Sequence, residues 1–144
     1  MELAVRVFAL TALPAFKSFP SVRDQLERAS MSISNNVAEG FERGTTQETL
    51  TFLYISRGSA GETRSVLCLC ERLPRLFELK SEILDLKTRA EKISRQLGAW
   101  CNSLQNSDIR GQRYLTNKSK AKTREARERE EFLKELDEIR SRKA

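Results

Sequence analysis

The sequence predicts an all-α protein: an antiparallel up-down four-helix bundle over residues 1–105, followed by a basic linker and a charged, helical or partly disordered extension over 106–144. Three observations carry this expectation. Apolar residues recur at alternating spacings of three and four, the period of one helix face. No run of β-branched residues bounded by turn signals reads as a strand. Glycine (6) and proline (3) are few, and charge becomes dense after Leu104.

The first helix is expected over 2–13, with Leu3, Val7, Leu10 and Leu13 inward and Pro14 beyond its end. Lys17-Ser-Phe-Pro20 reads as a loop, with Ser21 as N-cap of the next helix. That second helix is expected over 22–42, because Val22, Leu26, Ala29, Ile33 and Val37 lie in one stripe. Gly40 and Gly44 weaken its end, and Thr45-Thr-Gln-Glu48 has the spacing of a capping box for a third helix over 46–73. Leu50, Leu53, Ala60 and Leu67 form the inner face of this helix. Gly58 and Gly61 within it each cost about 1 kcal/mol against alanine, so close approach by another helix is the expected reason for them. In the fourth helix Ile83, Leu86, Ala90, Ile93, Leu97, Trp100 and Leu104 make a bundle seam, with Gly98 beside it.

Composition removes several kinds of chemistry. Histidine is absent, which excludes Ser-His-Asp and Cys-His nucleophile arrangements, the usual zinc sites and the Glu-x-x-His di-iron motif of some bundles. Cys68 and Cys70 stand two apart on a helix and point to roughly opposite faces, so they cannot share a metal; with Cys101 they read as small buried thiols in a reducing cytoplasm. The apolar run Leu3–Leu13 is interrupted by Arg6 and preceded by Glu2, unlike an export signal. No stretch reaches the roughly 20 apolar residues of a membrane span. No cofactor, no metal and no enzymatic activity are expected.

One stretch departs from ordinary amphipathic helix. Arg28-Ala-Ser-Met-Ser-Ile-Ser-Asn-Asn-Val-Ala-Glu-Gly40, with Phe52-Leu-Tyr-Ile-Ser-Arg-Gly-Ser59 and Glu62, sets polar residues among apolar ones at helical spacing. It resembles the signature of the 23S rRNA intervening-sequence proteins, roughly Arg-Ala-x-x-Ser-Ile-Pro-x-Asn-Ile-Ala-Glu-Gly and then Phe-Leu-x-x-Ala-x-Gly-Ser-x-x-Glu. Ser34 stands where that pattern has proline, so a kink there is absent or softer, and the first helix is shorter than is usual in the family. The resemblance covers about residues 3–105. It extends to the accessory variability proteins of diversity-generating retroelements, through the run Arg95-Gln-Leu-Gly-Ala-Trp100 among others. These resemblances imply a four-helix bundle, a homopentameric ring, and association with RNA or DNA or with a reverse transcriptase.

Within the signature, Arg28, Ser32, Asn36 and Glu39 are separated by four, four and three residues and form a polar ridge. Arg57 and Glu62 on the third helix are expected to meet it, with Arg57–Glu39 and Arg28–Glu62 as candidate pairs. The structural reading is a buried network that fixes helix register or a subunit contact. The other readings are a site using Glu39 and Glu62 as paired carboxylates, or a nucleic-acid contact through Arg28, Arg43 or Arg57.

The candidate nucleic-acid-binding residues lie in the tail. Arg110, Arg113, Lys118, Lys120, Lys122, Arg124, Arg127 and Arg129 face only Glu125 and Glu128 within residues 110–129, a local net charge of +6 in a chain of net +6. Residues 130–144 are near balance, and Phe132, Leu136 and Ile139 give them a thin apolar stripe. Such a segment would bind polyanions with strong salt dependence and little sequence preference. Tyr114 is the only aromatic residue interleaved with it, a weak basis for base stacking. The leading expectation is a non-catalytic oligomer associated with RNA or DNA. The alternative is a structural or protein-interaction bundle with no nucleic-acid role.

Overall fold

The computed structural model describes residues 1–111 and 117–141, and every regular element among them is helical. The chain divides into two units, Met1–Ile109 and Arg110–Ala144. The first holds helices α1 (Glu2–Thr11), α2 (Pro20–Glu42), α3 (Thr46–Cys70) and α4 (Lys80–Gln105), with 3₁₀ turns at Pro14–Ser18 and Pro74–Leu79. The second holds α5 (Asn117–Ser141).

Within the first unit α2 packs on α3 and α3 on α4, while α1 lies against both α2 and α4. The shared core includes Leu3, Val7, Leu10, Leu26, Ile33, Leu53, Leu67, Ile83, Leu86 and Leu97, largely the stripes that the spacing predicts. Polar ties fasten α1 at its rim. The Arg6 guanidinium donates to Glu82 and Asp85 of α4, and Arg89 reaches Glu2. Thr11 Oγ1 donates to Glu27 Oε1 of α2 at 2.6 Å.

Several boundaries move for local reasons. Helix α1 stops at Thr11 because Leu13, preceding Pro14, takes an extended conformation (φ −65°, ψ 144°) that a following proline favours. Its outer face exposes Val5 and Phe8, and Leu13, expected inward, falls beyond its end and is exposed. Pro20, not Ser21, opens α2: proline's missing N–H costs nothing at the first helical position. Helix α2 runs on through Ser34 to Glu42 without a break. Thr45 caps α3, accepting the Glu48 N–H at 3.2 Å and donating its hydroxyl to Glu48 Oε2 at 2.6 Å. Helix α3 ends at Cys70, three residues before the predicted end, and the chain turns through Pro74 into α4.

The two 3₁₀ turns pack against each other. Each contributes one fully buried residue, Phe16 and Leu76, which close one end of the bundle. The connections after Pro14 and Pro74, which the spacing leaves outside any helix, therefore carry core.

Cys70 and Cys101 are buried and Cys68 half-buried, all three as free thiols. Burial pushes the Cys70 thiol up to about 11. Burial also raises Cys101, and the nearby Arg57 guanidinium offsets part of that rise.

Candidate functional site

The polar stretch of α2 meets α3 along a seam of small side chains. Ser32 Oγ lies 2.9 Å from Ser59 Oγ. Asn36 Nδ2 donates to the Ser32 carbonyl at 2.7 Å and to Ser32 Oγ at 2.8 Å. Ser59 Oγ donates to the Ile55 carbonyl at 3.1 Å, which occupies its one hydrogen. The direction is then set: Asn36 donates to Ser32, Ser32 to Ser59, and Ser59 to the backbone. Deeper in the seam, Ser56 Oγ donates across to the Ile33 carbonyl at 2.7 Å, and Thr63 Oγ1 donates to the Ser59 carbonyl at 2.8 Å. Among the described residues no buried side-chain nitrogen or oxygen lacks a partner. Small residues and satisfied hydroxyls let α2 and α3 lie close.

The seam joins Ser32 and Asn36, but the four charged residues of the predicted network stay outside it. Arg28, Glu39, Arg57 and Glu62 are all exposed in this chain, which corrects the expectation of a buried network. Glu39 pairs with Arg43 one turn on rather than with Arg57. An exposed pair of this spacing contributes about 0.3–0.5 kcal/mol, far below the cost of breaking a buried one. Arg28 does not reach Glu62 directly: it donates to Gln25 Oε1 at 2.7 Å, and the Gln25 amide donates to Glu62.

Arg57 turns to the other side of α3. Its guanidinium lies over Gly98 of α4, where an added Cβ would come within 3.3 Å of Arg57 Cζ. Positions 57 and 62 are five apart, roughly 140° around the helix, so both cannot face α2. Glu62 meets α2 at Gln25, about 20 Å along the helix axis from Glu39, so the two do not stand as paired carboxylates in this chain.

The glycines divide similarly. Gly40 sits inside α2 at the crossing with α3, where a Cβ would meet Phe52 Cβ at 2.9 Å. Among the described residues a Cβ added at Gly58 or Gly61 would find nothing within 4 Å. Close packing against the described helices is therefore not what those two provide.

Ser56, Ser59, Thr63 and Gln25 complete the seam beyond the six residues of the predicted network. Positions 53, 56, 60, 63 and 67 continue the three-and-four spacing of α3's inner face, with hydroxyls at 56 and 63 in place of aliphatic side chains; the spacing does not mark Ser59 or Gln25.

At the bundle end where α2 gives way to α3, Phe41 packs on Trp100 of α4 with ring centroids 5.2 Å apart. The Arg43 guanidinium lies 4.8 Å over the Phe52 ring.

A model of the family described as 23S rRNA-intervening sequence protein matches residues 1–99. The chain belongs to this family. The match spans the α2–α3 seam and most of α4, and it stops short of α5. Comparisons with curated proteins and with solved structures return no match.

The candidate nucleic-acid-binding residues distribute along the second unit. Arg110 is exposed, and Arg113 lies outside the described residues. Lys118, Lys120 and Lys122 belong to α5. Arg124, Arg127 and Arg129 are exposed on α5, where Arg124 pairs with Glu128 at 3.5 Å and Arg127 with Glu131 at 3.3 Å. Among the described residues no cluster of three or more cysteine, aspartate or glutamate side chains could hold a metal. No described helix is long and apolar enough to cross a membrane.

Proposed function

We propose that the protein is a non-catalytic, self-associating helical bundle of the cytoplasm that binds RNA or DNA through its basic tail. Its setting is an rRNA intervening sequence or a diversity-generating retroelement, where it would serve a reverse transcriptase as accessory subunit. The observation that carries the reading is the placement of charge. Residues 1–104 hold fourteen basic and twelve acidic side chains, whereas 110–129 hold eight against two, with Arg124, Arg127 and Arg129 open to solvent.

The test is the salt dependence of binding to mixed-sequence RNA, for the full chain and for a chain ending at Ile109. Each phosphate contact steepens the fall of log affinity with log salt by about 0.7 on a single strand. Removing α5 is expected to weaken binding and flatten the slope. An unchanged slope would assign the charge to the bundle, with Arg23, Arg43 or Arg64 repeated around an assembly.

Two further features favour self-association. Helix α1 is apolar outside as well as inside, with Val5 62% and Phe8 40% exposed. Gly58 and Gly61 stay open on α3 despite their cost to the helix. A second copy laid on either face would account for both, and a ring of five is the state we propose. Light scattering at micromolar concentration should give a multiple of 16.5 kDa; a clean monomer would remove this part of the proposal.

The second reading, an interaction bundle with no nucleic-acid role, draws on the Arg124–Glu128 and Arg127–Glu131 pairs, which mute part of the positive charge. A reverse-transcriptase gene or an rRNA operon beside the coding sequence favours the first reading.

A further inference from the structure

Helix α5 is ordered by charge along its length. From Asn117 to Arg129 six basic residues (Lys118, Lys120, Lys122, Arg124, Arg127, Arg129) face two acidic ones, a net of +4. From Glu130 to Ser141 Lys134 and Arg140 face Glu130, Glu131, Glu135, Asp137 and Glu138, a net of −3. The peptide dipoles of a helix favour the reverse order, acids at the start and bases at the end, and the first turn of α5 contains no acid.

Its ion pairs do little to compensate. Among the described residues, Arg124–Glu128 and Arg127–Glu131 run base first, the weaker orientation at this spacing, and Glu130–Lys134 runs acid first. Burial adds nothing where the side chains are described, since all those of α5 from Arg124 to Glu135 are exposed, Phe132 and Leu133 included. Helices in proteins draw most of their stability from a packed apolar face. The basic half of α5 has instead a concentration of positive charge at the positive end of its dipole.

A polyanion reverses each of these terms. Phosphates beside Lys118–Arg129 neutralise the repulsion among the basic residues, and negative charge at the helix start is favoured by the dipole. Resting on the nucleic-acid reading above, we propose that polyanion binding and helix formation in the basic half of α5 are coupled, so that the bound polyanion holds residues 117–129 helical. The competing geometry is an extended chain, in which Lys118, Lys120, Lys122 and Arg124 would alternate onto one side. In that arrangement a linear polyanion would melt the helix.

Amide hydrogen exchange on the full-length protein, with and without poly(U) at low salt, separates the two. Exchange across 121–129 should slow several-fold when poly(U) binds. Shielding by bound RNA is told apart from folding by far-UV circular dichroism, whose helical signal should rise when poly(U) binds. The charge order is tested with Lys118→Glu combined with Lys120→Glu, which places acids in the first turn and should exchange more slowly than the parent with no polyanion present. If poly(U) binds and exchange across 121–129 is unchanged or faster, the coupling is wrong while the nucleic-acid reading stands. If the variant exchanges like the parent, the charge-order argument is wrong. If the full chain does not bind poly(U) at all, the nucleic-acid reading fails and takes the coupling with it.

Discussion

Replacing Phe16 with alanine is expected to lower the folding free energy by about 3–5 kcal/mol, the usual cost of removing a buried aromatic ring. Phe16 is 0% exposed although it lies in a five-residue 3₁₀ turn between prolines. Its ring stands at the end of the core, where the two 3₁₀ turns meet, so its removal would leave a cavity there. Phe77 supplies the contrast. It lies in the opposite turn and is 63% exposed, so Phe77→Ala should change stability by no more than about 0.5 kcal/mol. Urea unfolding of the two variants decides the matter: equal midpoints would mean that Phe16 does not seal the bundle.

The second large effect is expected at Gly40. Valine there would place its Cβ 2.9 Å from Phe52 Cβ and 3.4 Å from the Thr49 carbonyl oxygen, and it adds two methyls beyond that Cβ. Overpacking of this kind costs about 1–3 kcal/mol. It would also stretch the bond, now 2.9 Å, by which the Thr49 hydroxyl of α3 donates to the Gly40 carbonyl of α2. Gly58→Ala should behave oppositely. With open space around it, the substitution gains up to about 1 kcal/mol of helix propensity in an isolated chain. Should a second copy cover that face, the same substitution would stabilise the monomer and weaken association. Thermal unfolding alongside light scattering reads both, and a Gly58→Ala chain less stable as a monomer would contradict the open environment described for it.

How far the sequence discloses the fold depends on the kind of physics involved. The α4 seam is legible because Ile83, Leu86, Ala90 and Leu97 need only be apolar at the right spacing, and periodicity reports that directly. Phe16 is not legible, because a proline-bounded 3₁₀ turn is too short to establish a period, so a buried ring there resembles any loop phenylalanine. The polar stretch is half legible. Ser32 and Asn36 do join the α2–α3 seam, but the partners of Arg28, Glu39, Arg57 and Glu62 depend on side-chain reach and on which helix stands across each face. A glutamine bridging Arg28 to Glu62, and an arginine laid over Gly98, are products of three-dimensional adjacency that spacing along one helix does not encode.

The cysteines give the bundle a chemical durability that its folding energetics do not describe. Attack on oxidants and electrophiles proceeds through the thiolate, and with its thiol pushed up to about 11, Cys70 ionises in only roughly one molecule in ten thousand at pH 7. Cys101 is raised in the same direction and equally enclosed. Peroxide or alkylating agents would therefore meet the native protein almost entirely at half-buried Cys68. The two interior sulfurs become reactive on the timescale of unfolding, so their modification in an aged sample would record how often the core has opened.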